Sequence, residues 1–387
     1  MSQSGCTDVS AINYNLNAIT NDGSCNYESV AVDVTSSTNL DPILQETSGL
    51  IEWNNFLYSH NDSMDKSIYQ LDKISGAIIQ NFSLNTIQNI DWEEISQDEN
   101  YIYIGDFGNN VNGNRTNLKI YKIDKSTLAS NPQIEVINFT YSDQTNFTPQ
   151  GANNTDFDCE AFVVTANEIL LFTKQWLNKK TSIYSIPKNS GSHVANLITT
   201  INVNGLITGA TLKEDSRLIA LSGYSTTLQP FVFLIYDFYA LNFSNANKRK
   251  IEVKLPYHQI EGISTNNGLE YNLSNESFIE SPSINNPQKL HQLSLKSYLT
   301  NYFNSLSSGN FDNTNHKNFL FPNPSNGKIQ ISDLESANKA YQILDLNGKQ
   351  IKSGNFYNSV INITDLEKGI YLLKIINNHQ VYKIIKN

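Results

Sequence analysis

The sequence predicts an all-β protein: a β-propeller of about five blades (alternatively six), followed by a small C-terminal β-sandwich. Three observations carry this reading. A unit recurs weakly but in order between Val30 and Leu295, each time as a short motif, an apolar strand and an aromatic-rich strand. The 3.6-residue period of helices is nearly absent along these segments. Units of about 40–50 residues with three or four short strands each are the mark of propeller blades. The chain of 387 residues is long enough for more than one domain, and 39% hydrophobic residues suffice for real cores.

The first segment, residues 1–29, is too short to build a core. Cys6 and Cys25 frame it, and a bridge between them would close it and suit an oxidising location. Asp8, Asn13, Asn15, Asn21 and Asp22 supply short oxygen side chains that would either hold a hard cation or form Asx turns. The stretch Gly5-Cys-Thr-Asp through Asp22-Gly-Ser-Cys-Asn-Tyr resembles a short Cys-flanked module of flavobacterial surface proteins. Met1-Ser-Gln-Ser-Gly shows neither the charged nor the apolar region of a signal peptide, so the chain reads as a mature form or one missing its start. Cys159, between Asp158 and Glu160, is expected to be a packed core thiol.

Residues 30–300 are the expected propeller. The five openings are Glu46-Thr-Ser-Gly-Leu-Ile, Asp91-Trp-Glu-Glu-Ile, Asp158-Cys-Glu-Ala-Phe, Ile207-Thr-Gly-Ala-Thr and Gln259-Ile-Glu-Gly-Ile. Their central residues, Ser48, Glu93, Glu160, Thr208 and Glu261, are spaced by 45, 67, 48 and 53 residues. The 67-residue step leaves room for a sixth strand set. Ala31-Val-Asp-Val-Thr is expected to pair with the final unit and close the ring, which removes a free edge. The motifs Ser48-Gly-Leu, Asp91-Trp-Glu-Glu-Ile, Gly105-Asp-Phe-Gly-Asn-Asn with Arg115, Glu160-Ala-Phe with Phe172-Thr-Lys, and Glu261-Gly-Ile with Ser274-Asn-Glu resemble those of bacterial propellers grouped with phytase-like esterases and SdiA-regulated proteins. Leu221-Ser-Gly-Tyr departs from that pattern, carrying Ser222 where a basic residue is usual.

Residues 301–317, rich in Asn, Ser and Gly, are the expected linker. Residues 318–387 read as the β-sandwich: Ile329 and Ile331 alternate with polar residues, Asn347-Gly348 signals a hairpin, and Gly369 stands where a second turn is expected. Pro322-Asn323-Pro324, Asp345-Leu-Asn-Gly-Lys, Lys368-Gly-Ile-Tyr and the Lys383-Ile-Ile-Lys ending resemble, in order, the C-terminal sorting domain of type IX secretion cargo of Bacteroidetes. That resemblance implies export to the cell surface or the extracellular space, with the secretion machinery as partner.

Chemistry is expected at the axis. Repetition places Glu93, Glu160 and Glu261 on equivalent inner strands, so the three carboxylates should share a polar funnel. Like charges so close require a cation, a basic partner or water. Calcium is the expected metal, because the donors are oxygens. Asn61, Asp62, Asp106, Asn109, Arg115, Lys174, Asn275 and Glu276, at the ends of the following strands, are the expected contacts to a small polar ligand or glycan. The net charge of −10 argues against nucleic acid, no apolar run reaches a membrane span, and six scattered histidines lack zinc spacing. The expected function is binding of calcium or a polar ligand by an exported propeller. The alternative is a calcium-dependent secreted hydrolase, phytase-like or lactonase-like.

Overall fold

The computed structural model describes residues 3–307 apart from 281 and, further on, 320–331 apart from 322 and 324, 340–345, 348–356, 360–375 and 381–386. The chain divides into two compact units, Met1–Leu306 and Ser307–Asn387.

The repeat in the first unit resolves into five four-stranded antiparallel blades. Blade 1 is Thr47–Trp53, Phe56–Asn61, Ser67–Leu71 and Ile78–Ser83; blade 2 is Trp92–Gln97, Tyr101–Asp106, Lys119–Asp124 and Ile134–Tyr141. Blade 3 is Asp158–Val164, Glu168–Lys174, Lys180–Pro187 and Gly191–Asn202, and blade 4 is Leu206–Lys213, Leu218–Tyr224, Pro230–Tyr236 and Asn247–Val253. Blade 5 takes Ile260–Ser264, Glu270–Asn275 and Lys289–Ser294 from late in the chain and Ser36–Asn39 from its start. Each inner strand touches the next, and that of blade 5 touches that of blade 1, so the ring is closed.

Closure uses a different strand from the one expected. Ala31–Val32 runs parallel to the outer strand of blade 4, and Ser36–Asn39 is the strand that pairs with the final unit, Leu290 opposite Thr38. The long second step holds no sixth blade. It is taken up by the connection 107–118 and by the loop 142–157 before blade 3. The outer strands of blades 2 and 3 also pair in parallel, from Ile137 opposite Gly191 to Tyr141 opposite Ala195, covering two edges at once.

Each blade junction has its own apolar layer. Tyr58 and Ile68 meet Ile95 and Tyr121 between blades 1 and 2, and Phe107 and Ile120 meet Phe162 and Leu171 between blades 2 and 3. Phe172 and Ile183 meet Leu221 and Phe233 between blades 3 and 4; Leu234 and Ile251 meet Ile263 and Tyr271 between blades 4 and 5; Leu290 meets Leu50 and Leu57 at the closure. Each fully buried side chain of this size stabilises the fold by about 1.5–3 kcal/mol before entropy.

The segment expected to be a linker begins as structure. Lys296–Ser307 is a helix whose Leu299 and Tyr302 are buried against blades 4 and 5, and the Tyr302 hydroxyl donates to the Ser216 carbonyl at 2.7 Å. The aromatic residues Tyr298, Tyr302 and Phe303, spaced for one helical face, outweigh the polar composition. Residues 308–317 lie outside the described residues.

In the first segment Cys6 and Cys25 are bridged, with Cα atoms 4.7 Å apart. Its oxygen side chains make turns. Asp8 accepts from Ser10 N–H, Asn15 from Asn17, Asn21 from Gly23 and Asp22 from Ser24, at 2.8–3.1 Å, while Asn13 accepts from Asn26 at 2.8 Å. The segment docks on blade 4, where Asp8 Oδ2 receives the hydroxyls of Tyr27 and Tyr236 and Asn21 donates to Asn247 at 2.8 Å. Cys159 is free and fully buried, and burial raises its thiol pKa.

The second unit is a sandwich of a three-stranded sheet (Leu320–Phe321, Lys328–Ile331, Val360–Asn362) and a four-stranded one (Gln350–Asn355, Ala340–Leu344, Gly369–Ile375, Val381–Lys386). Ile329, Ile343, Ile361, Leu373, Tyr382 and Ile384 form its core. Gly348 takes φ +81°, as a tight hairpin requires. Gly369 opens a strand rather than making a turn. Pro322, Pro324 and Asn347 lie outside the described residues.

Candidate functional site

The site begins with an irregularity repeated in all five inner strands. In blades 2 to 5 the antiparallel register steps over one residue, namely Glu93, Glu160, Thr208 and Glu261; in blade 1 the step falls at Gly49 and Leu50. A bulge leaves its extra residue unpaired and re-aims the side chain. The expected equivalence of the openings is therefore a shared backbone device. Blades 1 and 4 use hydroxyls to tie it down. Ser48 donates to the Glu93 carbonyl at 2.6 Å, and Thr208 to the Ile260 carbonyl.

The three glutamates are buried, and the cation among them is Lys174. Its Nζ lies 3.1 Å from Glu160 Oε1, 4.8 Å from the Trp176 ring centroid and 5.3 Å from that of Tyr224. Burial opposes its charge, but Glu160, then Tyr224, Glu261 and Asp158, more than offset that and hold its pKa above the usual lysine value. Burial first, then Glu160, raises Glu93; burial raises Glu261, with Lys174 acting in opposition. Of the trio expected to hold calcium, Glu160 is ion-paired with Lys174, whose charge also acts on Glu93 and Glu261. Among the described residues no group of three or more His, Cys, Asp or Glu side chains is placed to hold a metal ion.

A wider acidic rim surrounds this centre. Asp158 accepts from Asn109 N–H at 2.5 Å and from the Trp176 indole at 2.7 Å. Burial and Asp158 raise Asp91 to about 6, against the pull of Arg115. Burial and Glu46 raise Asp62 to about 7; burial, partly countered by Lys174, raises Glu276 to about 7. Glu261 Oε2 is buried with no hydrogen-bond partner.

The other expected contacts divide. Asp62, Lys174 and Glu276 come together with Glu261 at the rim. Arg115 is taken by the protein: Nη2 meets Asp106 Oδ1 at 2.7 Å, and Nη1 meets the Gly108 carbonyl at 2.6 Å and Asp91 at 3.8 Å. The amides of the three asparagines donate within the protein, while Asn61 Oδ1 is buried without a partner. Asn61 donates to Ile43 O and Asp65, Asn109 to Phe157 O, and Asn275 to the carbonyls of Glu276 and Pro287.

Tyr224, Trp176 and Glu46 were not anticipated. Tyr224 ends the second strand of blade 4 where Lys174 ends that of blade 3, so the strand register was the available signal. Glu94 has a separate task. Its Oε1 accepts Ile95 N–H at 3.0 Å and its Oε2 accepts Ala210 N–H at 2.7 Å from blade 4, with Leu50 N–H of blade 1 also directed at it. A fully buried carboxylate thus plugs the axis. Gly49, at φ +67°, makes room for it, since a Cβ there would stand 2.6 Å from Glu94 Oε1.

Residues 319–387 match the family described as the secretion system C-terminal sorting domain. This tail indicates export to the cell surface or extracellular space and implies interaction with the type IX secretion machinery. No helix among the described residues is long and apolar enough to cross a membrane. Among curated proteins none matches this chain. Solved structures similar to it include the PQQ-bound aldose sugar dehydrogenase of Streptomyces coelicolor (TM-score 0.38, 9% identity, 67% of this chain and 98% of that one) and the WD40 repeats of RRP9 (TM-score 0.37, 8% identity, 68% and 98%). PorZ, a surface component of the type IX secretion system of Porphyromonas gingivalis, aligns over 87% of this chain and 44% of its own (TM-score 0.31, 12% identity).

Proposed function

We propose that this exported propeller is a binding protein whose acidic mouth takes a small polar ligand carrying a positive charge, without turnover. One observation carries the reading: Glu261 Oε2 is buried and unpartnered beside a rim where Asp62, Glu276, Asp91 and Glu93 crowd together, with Lys174 and Arg115 as nearby cations. Such a site attracts a cation. A ligand amine is favoured over calcium, because Lys174 already stands among the glutamates. The hydrolase alternative needs basic groups to hold a phosphoester, and Lys174 and Arg115 are both held by carboxylates.

The test is calorimetric titration of the full chain with cadaverine, a Gly-Lys dipeptide and calcium chloride, at pH 8 and pH 5. An amine should bind at pH 8, more weakly at pH 5 as Asp62 and Glu276 take up protons, and about tenfold more weakly in Glu261→Gln. Binding of calcium alone would favour the metal reading. No heat with any of the three would sink the proposal.

A further inference from the structure

The axis has a second mouth on the far side of the Glu94 plug. Every inner strand ends there: Glu52, Gln97, Val164, Lys213 and Ser264 each occupy the last or next-to-last position of their strand and line one cavity of about 200 Å³. None of the residues around the acidic mouth belongs to it.

The charges of this cavity are already matched. Glu52 pairs with Lys73, and Lys213 with Asp215 at 2.5 Å. Gln97 is engaged as well, donating to the Glu52 carbonyl at 2.6 Å and accepting from Lys125 at 2.8 Å. What remains is neutral. The Ser264 hydroxyl is buried with no partner, and Ser96, Thr211 and the exposed Asn266 stand with it; Leu50, Ile51, Val164 and Leu212 supply an aliphatic side. A buried hydroxyl left unbonded carries a desolvation cost that a ligand hydroxyl would relieve.

We infer that this second mouth is a binding site for one neutral, polyhydroxylated ring of the size of a single sugar. The volume is the share of about six or seven waters, below the roughly 300–1,000 Å³ of pockets for larger ligands. An ion would find no unmatched charge here, and a lipid chain would bury hydroxyls and amides unpaired. A sugar ring presents hydroxyl edges to Ser264, Thr211 and Asn266 and a C–H face to the aliphatic side. This inference is independent of the acidic mouth.

Saturation-transfer NMR and calorimetry on the full chain, with glucose, galactose, mannose, N-acetylglucosamine and myo-inositol, test it. At least one should bind. Ser264→Val should weaken it about tenfold, in line with the loss of one buried hydrogen bond, and the exposed Asn266→Ala severalfold, while Glu276→Gln at the opposite mouth leaves it unchanged. If Ser264→Val fails to fold, the exposed Asn266→Ala decides. Absence of binding at tens of millimolar across the panel, or binding indifferent to substitutions that preserve a cooperative melt, overturns the proposal.

Discussion

Glu94 Oε2 accepts the backbone N–H of Ala210 at 2.7 Å, joining blades 2 and 4 across the axis over 116 residues of sequence. Burial pushes the carboxyl of Glu94 above its usual range, while the N–H groups of Ala210, Ile95 and Leu50 favour its charged form. Glu94→Ala should strand buried donors at about 1–3 kcal/mol each. Glu94→Gln keeps one acceptor oxygen and should cost less. Denaturant titration of the two variants should rank them in that order; equal midpoints would show the plug to be dispensable.

Lys174→Met should be among the most destabilising single changes at the acidic mouth. It removes the buried partner of Glu160 and leaves a carboxylate uncompensated, a loss of about 3–5 kcal/mol. Adding Glu160→Gln should recover part of it, because the orphaned charge is gone. A double-mutant cycle with no coupling would contradict the ion pair.

Asp62 and Glu276 give the stability a pH slope. Their carboxyls stand at about 7 in the fold, against ordinary values of 3.8 and 4.5. Between roughly pH 4 and 7 the folded state therefore binds more protons than the unfolded chain, and stability from these groups falls as pH rises through that window. Thermal melts from pH 4 to 8 should show this, and Asp62→Asn should flatten the slope. A melting temperature that climbs steadily to pH 8 would contradict the assignment.

The Cys6–Cys25 bridge closes a loop of sequence separation 19, for which chain-entropy arguments give about 3 kcal/mol. Because the first segment docks through Asp8, Asn21 and Tyr27, its loss should be local. Replacing both cysteines with serine should speed hydrogen exchange over residues 3–30 while the blades keep their protection.

Removing residues 319–387 should leave a folded propeller retained within the envelope of its native host, read by surface labelling and fractionation. Surface display of the truncated protein would show that the tail is not needed for export.

The sequence by itself determined the propeller repeat, the inner-strand openings, the disulfide of the first segment and the sorting tail. All are periodic or local signals: an alternating strand, a repeated Glu, a pair of cysteines, an ordered set of turn motifs. Five openings were legible because each marks one bulge, and Glu93, Glu160 and Glu261 fall on equivalent bulges for that reason, but only the structure decided between five blades and six, by filling the long second step with loops. The helix Lys296–Ser307 was hidden because its polar composition outweighed three well-spaced aromatics. Only the tertiary structure decided which strand closes the ring, since Ala31–Val32 and Ser36–Asn39 are both plausible edges and the choice depends on which blade lies within reach. Tertiary structure alone also decided that Lys174 pairs with Glu160, that Asn61, Asn109 and Asn275 donate within the protein, and that Glu94 seals the axis. Those roles depend on distances between side chains from different blades, and Coulomb energy and hydrogen bonding follow distance in space, which spacing along the chain does not encode.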